Sequence, residues 1–589
     1  MSMGDPFLYF MKQVLLFLYL LFASTLNAQQ FDNSWILGYC GCNNNPPIPN
    51  DEFGVYKGVF NNSKLELTDL GNKAVNMNES NTSISDSSGN LLFYCNGERV
   101  YNKNHQTMNN GQGLVNNPNG YGSLTPQTSV VIPKPDNSEL YYLFHSEKSQ
   151  LSNGKIVSRE LFLSIIDMTE NNGLGKVMVK REVILADTLP YGKLNAVKHA
   201  NGRDWWVVIP EWNTNKYYRI LVSDADSMVV DKMAFDTPIE NGLGQSVFSP
   251  DGKTFILSSS IIMGQPYHVN IFNFDRCSGL LYNQKSALFD SIGFGAFAVI
   301  SPDSRYLYIA RTQFLFQYDL TASDIFATEQ LIARHNEKLS GIYPSYWSRA
   351  QLAPDGRIYL STRSATFNMH TINYPDRGGD SCRFVQDAVP LQFYNLTIPT
   401  FPHYRLGPID GSPCDTLGFD NHPLCHWRWE QERLNLPLEV TFTDLTTYEP
   451  TYWLWDFGDG STSTERHPFH TYDSAGVYTV CLVVGNANSS DTICRVLPLG
   501  EVSSSEEVEA QQRRVSVTPN PFTDHLTVFT PDTERDLRFQ LFSVLGSVVI
   551  DQAISGGVVR VETGELAAGA YFWRVLKGGR VVQSDLIVR

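Results

Sequence analysis

The sequence has no long apolar run beyond its first two dozen residues, no basic stripe and no familiar catalytic signature, and each absence removes a class of function. After the run from Val14 to Ala23, no segment has the length and apolarity of a transmembrane helix. Lys and Arg are scattered and the formal net charge is −16, so neither a nucleic acid nor an anionic membrane surface is an expected partner. His-Glu-x-x-His, Gly-x-Ser-x-Gly and Gly-x-x-x-x-Gly-Lys are missing, which removes a zinc-protease helix, a nucleophile elbow and a phosphate loop. Cysteine is sparse: nine residues, an odd count that leaves at least one thiol unpaired.

What is present is a repeat. Ser249-Pro250-Asp251-Gly252 leads into Thr254-Phe255-Ile256-Leu257, Ser301-Pro302-Asp303-Ser304 into Tyr306-Leu307-Tyr308-Ile309, and Ala353-Pro354-Asp355-Gly356 into Ile358-Tyr359-Leu360. The starts, 249, 301 and 353, are 52 residues apart both times. Pro fixes φ and Asp-Gly supplies the positive φ of a tight turn, while the aromatic and β-branched run that follows suits a strand buried on both faces. Weaker copies begin at Asp86, Lys134 and Asn201, and further strands near 35–60 and 384–405 are expected to close one more unit. A fixed period of this kind predicts radially repeated sheets, an all-β propeller of about seven blades, with six or eight as alternatives. Asp167, Asp275 and Asp319 end strands by the same repeat logic and read as structural.

Length predicts several domains. Lys12 precedes the apolar run and Leu26-Asn27-Ala28 offers cleavage between Ala28 and Gln29, the pattern of a secretory signal over 1–28. Residues 406–435 form a connector rich in Gly, Pro and Asp that holds Cys414, His422, Cys425 and His426. Two Cys and two His suit zinc, but in an exported chain a Cys414–Cys425 disulfide is the simpler expectation. Cys40 and Cys42 are too close to pair easily, and partners for Cys95, Cys277 and Cys382 stay open. Tyr452 to Gly460 alternates, with Trp453, Trp455 and Phe457 on one strand face, and Gly476 to Val484 makes a second strong strand. A hairpin loop from Gly485 to Ser490 would set Cys481 opposite Cys494, which predicts a cross-strand disulfide. Asp456 and Asp459 are weak calcium candidates, since carboxylates in such a turn more often hydrogen-bond it. Ser503-Ser504-Ser505-Glu506-Glu507 marks a linker, and strand-like segments resume at Val517.

Several of these stretches carry resemblances. Ile84 to Gly97, Val197 to Trp206, Phe274-Asp275-Arg276-Cys277 and Gly411 to Leu417 resemble large secreted Bacteroidetes proteins that join a propeller of WD-type or TolB-like repeats to a PKD domain and an export tail. Trp455-Asp456-Phe457-Gly458-Asp459-Gly460 with His470-Thr471-Tyr472 resembles the PKD domain, which implies an immunoglobulin-like sandwich. Val517 to Phe522, Leu541 to Gly546 and Leu566 to Val575 resemble the type A C-terminal sorting domain of the type IX secretion system, which implies a small sandwich that takes the chain through the outer membrane. That family is commonly cleaved during attachment to surface lipopolysaccharide and usually carries Lys near its end, where this chain has Ser584-Asp585. The organisation expected is a signal over 1–28, a propeller over 30–405, a connector over 406–435, a PKD domain over 436–500, a linker over 501–514 and a sorting domain over 515–589.

The function expected is a non-catalytic binding or adhesion protein, secreted or on the cell surface, that meets the secretion machinery through residues 515–589 and an unknown glycan or protein through the propeller. No cofactor, metal or catalytic residue is assigned. The alternatives are a secreted hydrolase of glycans or peptides with paired carboxylates in the propeller channel, and a structural component of the outer envelope or gliding apparatus.

Overall fold

The computed structural model describes residues 30–39, 53–499 and 516–588, apart from 62–63, 72–74, 117, 119, 225–227, 240–241, 243, 261–265, 290–296, 312, 342, 434–435, 519–521, 523, 531–536, 544–546, 555–556, 568 and 578–579. The expected signal cleavage at Ala28 and Gln29, Cys40, Cys42 and the linker over 501–514 lie outside them. The described chain is all-β, its helical content being three short 3₁₀ turns. It packs as two units: one runs to residue 428 and takes in 444–454 and 482–493, and the other holds 429–443, 455–481 and 494–589.

Among the described residues the first unit has seven antiparallel sheets of three or more strands, their main strands in chain order, besides a two-stranded hairpin of Leu339–Ser340 with Tyr343–Pro344 and the short strand Ser149–Gln150 at the side of sheet III. Sheet I is Ser34–Tyr39, Gly54–Asn61 and Lys64–Asp69. Sheet II is Thr82–Ser85, Leu91–Cys95 and Val100–Asn102. Sheet III is Ser129–Lys134, Asn137–Ser146, Ile156–Asp167 and Lys176–Leu189. Sheet IV is Asn195–Lys198, Trp205–Pro210, Lys216–Val222 and Val229–Ala234. Sheet V is Ser246–Phe248, Thr254–Ser260, Tyr267–Asp275 and Leu280–Phe289. Sheet VI is Phe297–Ile300, Tyr306–Arg311, Phe314–Asp319 and Gln330–Arg334. Sheet VII is Trp347–Leu352, Ile358–Thr362, Thr366–Ile372 and Phe384–Asn395.

The repeated turn works through its aspartate. Asp251 Oδ1 accepts the Lys253 amide at 3.0 Å, Asp303 Oδ1 the Arg305 amide at 3.0 Å and Asp355 Oδ1 the Arg357 amide at 3.0 Å, so each carboxylate closes its own turn two residues on. Ser249 and Ser301 add a hydroxyl that accepts the amides of Thr254 and Tyr306, whereas Ala353 has none, and Asp355 instead takes the Tyr359 hydroxyl at 2.9 Å. Gly252 and Gly356 sit at φ +71° and +75°, the geometry the turn requires. The strands behind the turns are dry: Phe255, Leu257, Leu307, Ile309, Ile358 and Leu360 are fully buried.

The first strand of each sheet touches the first strand of the next, from I through VII, and the last strand of sheet VII reaches the first two strands of sheet I. Trp35 sits at that junction, its ring 5.5 Å from Tyr359 of sheet VII and 5.0 Å from Phe60 of sheet I. The strands near 35–60 and 384–405 therefore do not make one shared sheet as the sequence suggested. Ser34–Tyr39, Gly54–Asn61 and Lys64–Asp69 form sheet I alone, and Phe384–Asn395 completes sheet VII. Residues 396–401 run between sheets VII and II: Arg349 donates to the Leu396 carbonyl, Gln351 Oε1 accepts the Phe401 amide, and the Thr400 amide donates to Asn81 O at 2.9 Å. Pro399 and Pro402 interrupt regular pairing there.

The sandwich that follows has one sheet of Trp427–Arg433, Leu436–Asp444 and Phe469–Thr471, and another ordered Thr462–Ser463, Tyr452–Asp456, Gly476–Gly485, Ser490–Leu499. Its first strand lies inside the stretch read as connector, because the charged residues from Arg428 to Arg433 hide the alternation. In the second unit Trp455 and Phe457 are buried against Phe442, at 5.4 and 5.2 Å. The C-terminal strands pair as Ser516–Thr518, His525–Thr530, Gly557–Glu562 and as Val548–Ile554, Leu537–Ser543, Ala570–Lys577, Arg580–Val588, around Phe539, Leu541, Trp573 and Val575.

Candidate functional site

The first strand of each sheet lies at a sheet edge, and an unpaired edge needs partners for its amides and carbonyls. Side-chain amides supply them. Gln127 donates from Nε2 to Ser246 O and accepts the Ser246 amide at Oε1, both at 2.8 Å, the pair of bonds a neighbouring strand would make. Asn195 donates to the same carbonyl at 2.9 Å, and Gln245 Nε2 donates to Ala350 O at 3.0 Å. These amides tie the entry of sheet III and the start of sheet IV to sheet V, and the entry of sheet V to sheet VII. A cavity of about 70 Å³ remains among them, also walled by Phe248, Ile300, Thr400, Phe401 and His403. Its acidic group, Asp32, is held by Arg405 through both guanidinium Nη atoms. Gln245 Oε1 and His403 Nδ1 are buried there without a protein partner, which suits ordered water.

Two buried cations adjoin these strands. Lys193 donates to Ser259 Oγ, and burial pushes its amine down to about 7. Ser259 is fully buried, so the pair ties sheet V to the entry of sheet IV and presents no nucleophile. Arg349 pairs with Glu79, and burial pushes its guanidinium down to about 9.

One cluster has the residue types of a serine triad and fails as one. Ser345 Oγ lies 3.1 Å from His335 Nε2 and donates to Asp387 Oδ1 at 2.9 Å. His335 Nδ1 accepts the Glu337 amide at 2.8 Å, which leaves the proton of a neutral ring on Nε2. That nitrogen donates to Ser345 and cannot take its proton. His370 is fixed the same way, with the Asp387 amide on Nδ1 at 2.9 Å and Nε2 on Ser345 O at 2.8 Å. Burial holds both imidazoles below the usual range. His145 and His403 are pushed down to about 3 by burial, with a guanidinium beside each.

Acidification is therefore expected to unfold the first unit. Below about pH 6.5 an unfolded histidine takes up a proton that the buried ring refuses down to about pH 3. Stability is present above the unfolded value and falls with pH across that window, by up to about 1.4 kcal/mol per pH unit for each such histidine. Urea melts at pH 7.0, 5.5 and 4.5 would measure the slope, and a flat profile would contradict it.

The residues singled out from the sequence fall as follows. Cys481 and Cys494 are bonded, Cα to Cα 4.0 Å. Cys414 is bonded to Cys277, 137 residues earlier, and not to Cys425, a correction to the expected pairing. Cys425 is buried with its thiol on Leu482 O, and Cys95 and Cys382 are also free and buried. No cluster of three His, Cys, Asp or Glu capable of holding a metal occurs among the described residues. His422, weighed for zinc, meets Ser489 Oγ at 3.0 Å. Asp456 accepts the Gly458 amide at 2.9 Å, and Asp459 accepts the Ser461 amide at 2.9 Å and faces His470 Nε2 at 2.7 Å. Burial raises the Asp459 carboxyl, but His470 and Ser461 outweigh it and hold it below its usual range. Asp167, Asp275 and Asp319 accept amides two residues on and cap their turns.

At the end of the sheets that carries the Asp turns, residues 407–414 lie across sheets IV and V. Ile409 donates to Ala200 O at 2.8 Å, Pro408 bridges Asn201, Arg276 donates to Gly407 O at 2.5 Å, and Cys414 is bonded to Cys277. Sequence reasoning missed this clamp, for which Arg276-Cys277 in the secreted-protein motif was the available signal.

Residues 429–496 match the PKD domain family, and residues 516–589 match the secretion system C-terminal sorting domain. The sorting domain makes the chain an exported one, secreted or attached to the outer cell surface, and no helix among the described residues is long and apolar enough to cross a membrane. Two Bacillus cereus collagenases are similar over short stretches, ColQ1 at 45% identity over 58 residues and ColA at 48% over 40, or 9% and 7% of this chain. The chain spans only 6% and 4% of the length of those relatives. Among solved structures, the PKD1 domain of the Vibrio cholerae metalloprotease PrtV is 31% identical, covering 13% of this chain and 95% of that one, with a TM-score of 0.12.

Proposed function

We propose that this is a non-catalytic surface or secreted protein of the Bacteroidetes type that binds a glycan or protein ligand, exported by the type IX machinery through its C-terminal domain. In this reading sheets I–VII form a closed seven-bladed propeller, its ligand face is the end away from the Asp turns, and the PKD domain acts as a spacer. The observation that carries it is the axial wall: Gln127, Asn195 and Gln245 are spent on backbone groups, and Asp32 is spent on Arg405. A hydrolase working through this axis needs paired carboxylates open to substrate, and amides that stitch sheets together cannot replace them. The test is a binding screen of the exported protein against glycans and matrix proteins, collagen included, beside a hydrolase panel. Saturable binding without turnover is expected, and turnover of any substrate at a useful rate would overturn the reading.

A further inference from the structure

At the end away from the Asp turns, sheets VII and I share a row of aromatic side chains. Tyr39 closes the first strand of sheet I and lies 6.1 Å from Phe53; Phe53 lies 5.5 Å from Tyr394, and Tyr394 stacks on Phe367 at 4.2 Å. All four are half-buried, unlike the dry rings of the sheet interiors. A small hairpin, Leu339–Ser340 with Tyr343–Pro344, stands beside the row. Its Ser340 hydroxyl accepts the Phe367 amide at 3.1 Å and the Asn368 side chain at 2.9 Å, and Gly341 packs against Phe367 and Tyr394. A hairpin this short has no stability of its own, yet it holds Leu339 58% and Tyr343 47% exposed next to the rings. Exposed apolar side chains on a hairpin bonded to a part-exposed aromatic row mark a candidate binding surface.

The chemistry of the patch selects its occupant. Aromatic faces are electron-rich, and the face of a pyranose ring is a set of weakly positive C–H groups. With a net charge of −16, the protein repels polyanions. We infer that Tyr39, Phe53, Tyr394 and Phe367, flanked by Tyr343, form a stacking site for a neutral polysaccharide. The inference rests on the binding reading above and adds the ligand class and its place.

The test is affinity electrophoresis of the full exported chain in gels containing laminarin, dextran or mannan, with alginate and heparin as acidic counterparts. At least one neutral polymer is expected to retard the protein and neither acidic one should. Tyr343→Ala, a change at an exposed ring with little to lose in folding, should weaken retardation about tenfold. Tyr282→Ala, exposed on the outer strand of sheet V, should leave it unchanged. No retardation by any neutral polymer, an unaffected Tyr343→Ala, or equal loss in both variants would overturn the site. Binding of a protein or an acidic polymer independent of Tyr343 would sink this site and leave the binding reading standing. Hydrolysis of the polymer would sink that reading itself.

Discussion

Replacing Arg276 with Ala is expected to destabilise the first unit by about 4 kcal/mol and to free the chain after residue 406 for proteolysis. The guanidinium is buried, and it donates to Lys198 O at 2.9 Å, His199 O at 3.1 Å and Gly407 O at 2.5 Å. Burial alone pushes its pKa down to about 10, so it stays charged at neutral pH and each of these bonds is charge-assisted. Truncation orphans three carbonyls, two of them in buried bonds, and it removes the stem on which Gly252 packs. Charge-assisted bonds contribute about 1.5–3 kcal/mol each, less some recovery by water entering the gap. Arg276→Lys keeps the charge but not the fork, and should recover only part of the loss. Thermal melts and trypsin mapping would check both, and cleavage should rise in 406–425 before any sheet interior. A wild-type melting curve for Arg276→Ala would mean that the Cys277–Cys414 disulfide holds the connector unaided.

The parts of this fold that were legible in the sequence follow local rules. An aspartate that bonds its own backbone two residues on leaves a mark within four residues, and so Asp251, Asp303 and Asp355 announced their turns. Cys481 and Cys494 were legible for the same reason, since a hairpin's register follows from its loop. What was hidden is non-local. Cys277 and Cys414 stand 137 residues apart, and nothing near Cys414 distinguishes Cys277 from the nearer Cys425. Residues 396–401 carry two threonines and a proline with no alternation, so an element held by Arg349, Gln351 and Asn81 reads as loop. The side-chain amides that bond neighbouring sheets were equally silent. Gln127 and Gln245 look like ordinary polar residues until the strands they face are known, 119 and 105 residues further along the chain.

Trp35→Ala should be as costly, about 4 kcal/mol, and it tests the junction where the last sheet meets the first. The indole is fully buried, its ring 5.0 Å from Phe60, 5.5 Å from Tyr359 and 6.2 Å from Phe401, and its Nε1 donates to Asp32 O at 3.0 Å. Three separate stretches, sheet I, sheet VII and residues 396–401, meet on this one side chain. Loss of the ring leaves a cavity that none of them can fill by moving alone. Hydrogen exchange would localise the effect. Faster exchange is expected in Ser34–Tyr39 and Ile358–Thr362 together, with Trp205–Pro210 and Thr254–Ser260 unchanged. In a ring the weakest joint is the one without chain continuity, because elsewhere a connection limits how far neighbouring sheets separate. If only sheet I loosens while sheet VII keeps its protection, the two are not coupled through Trp35, and the proposed closure of the seven sheets would lose its support.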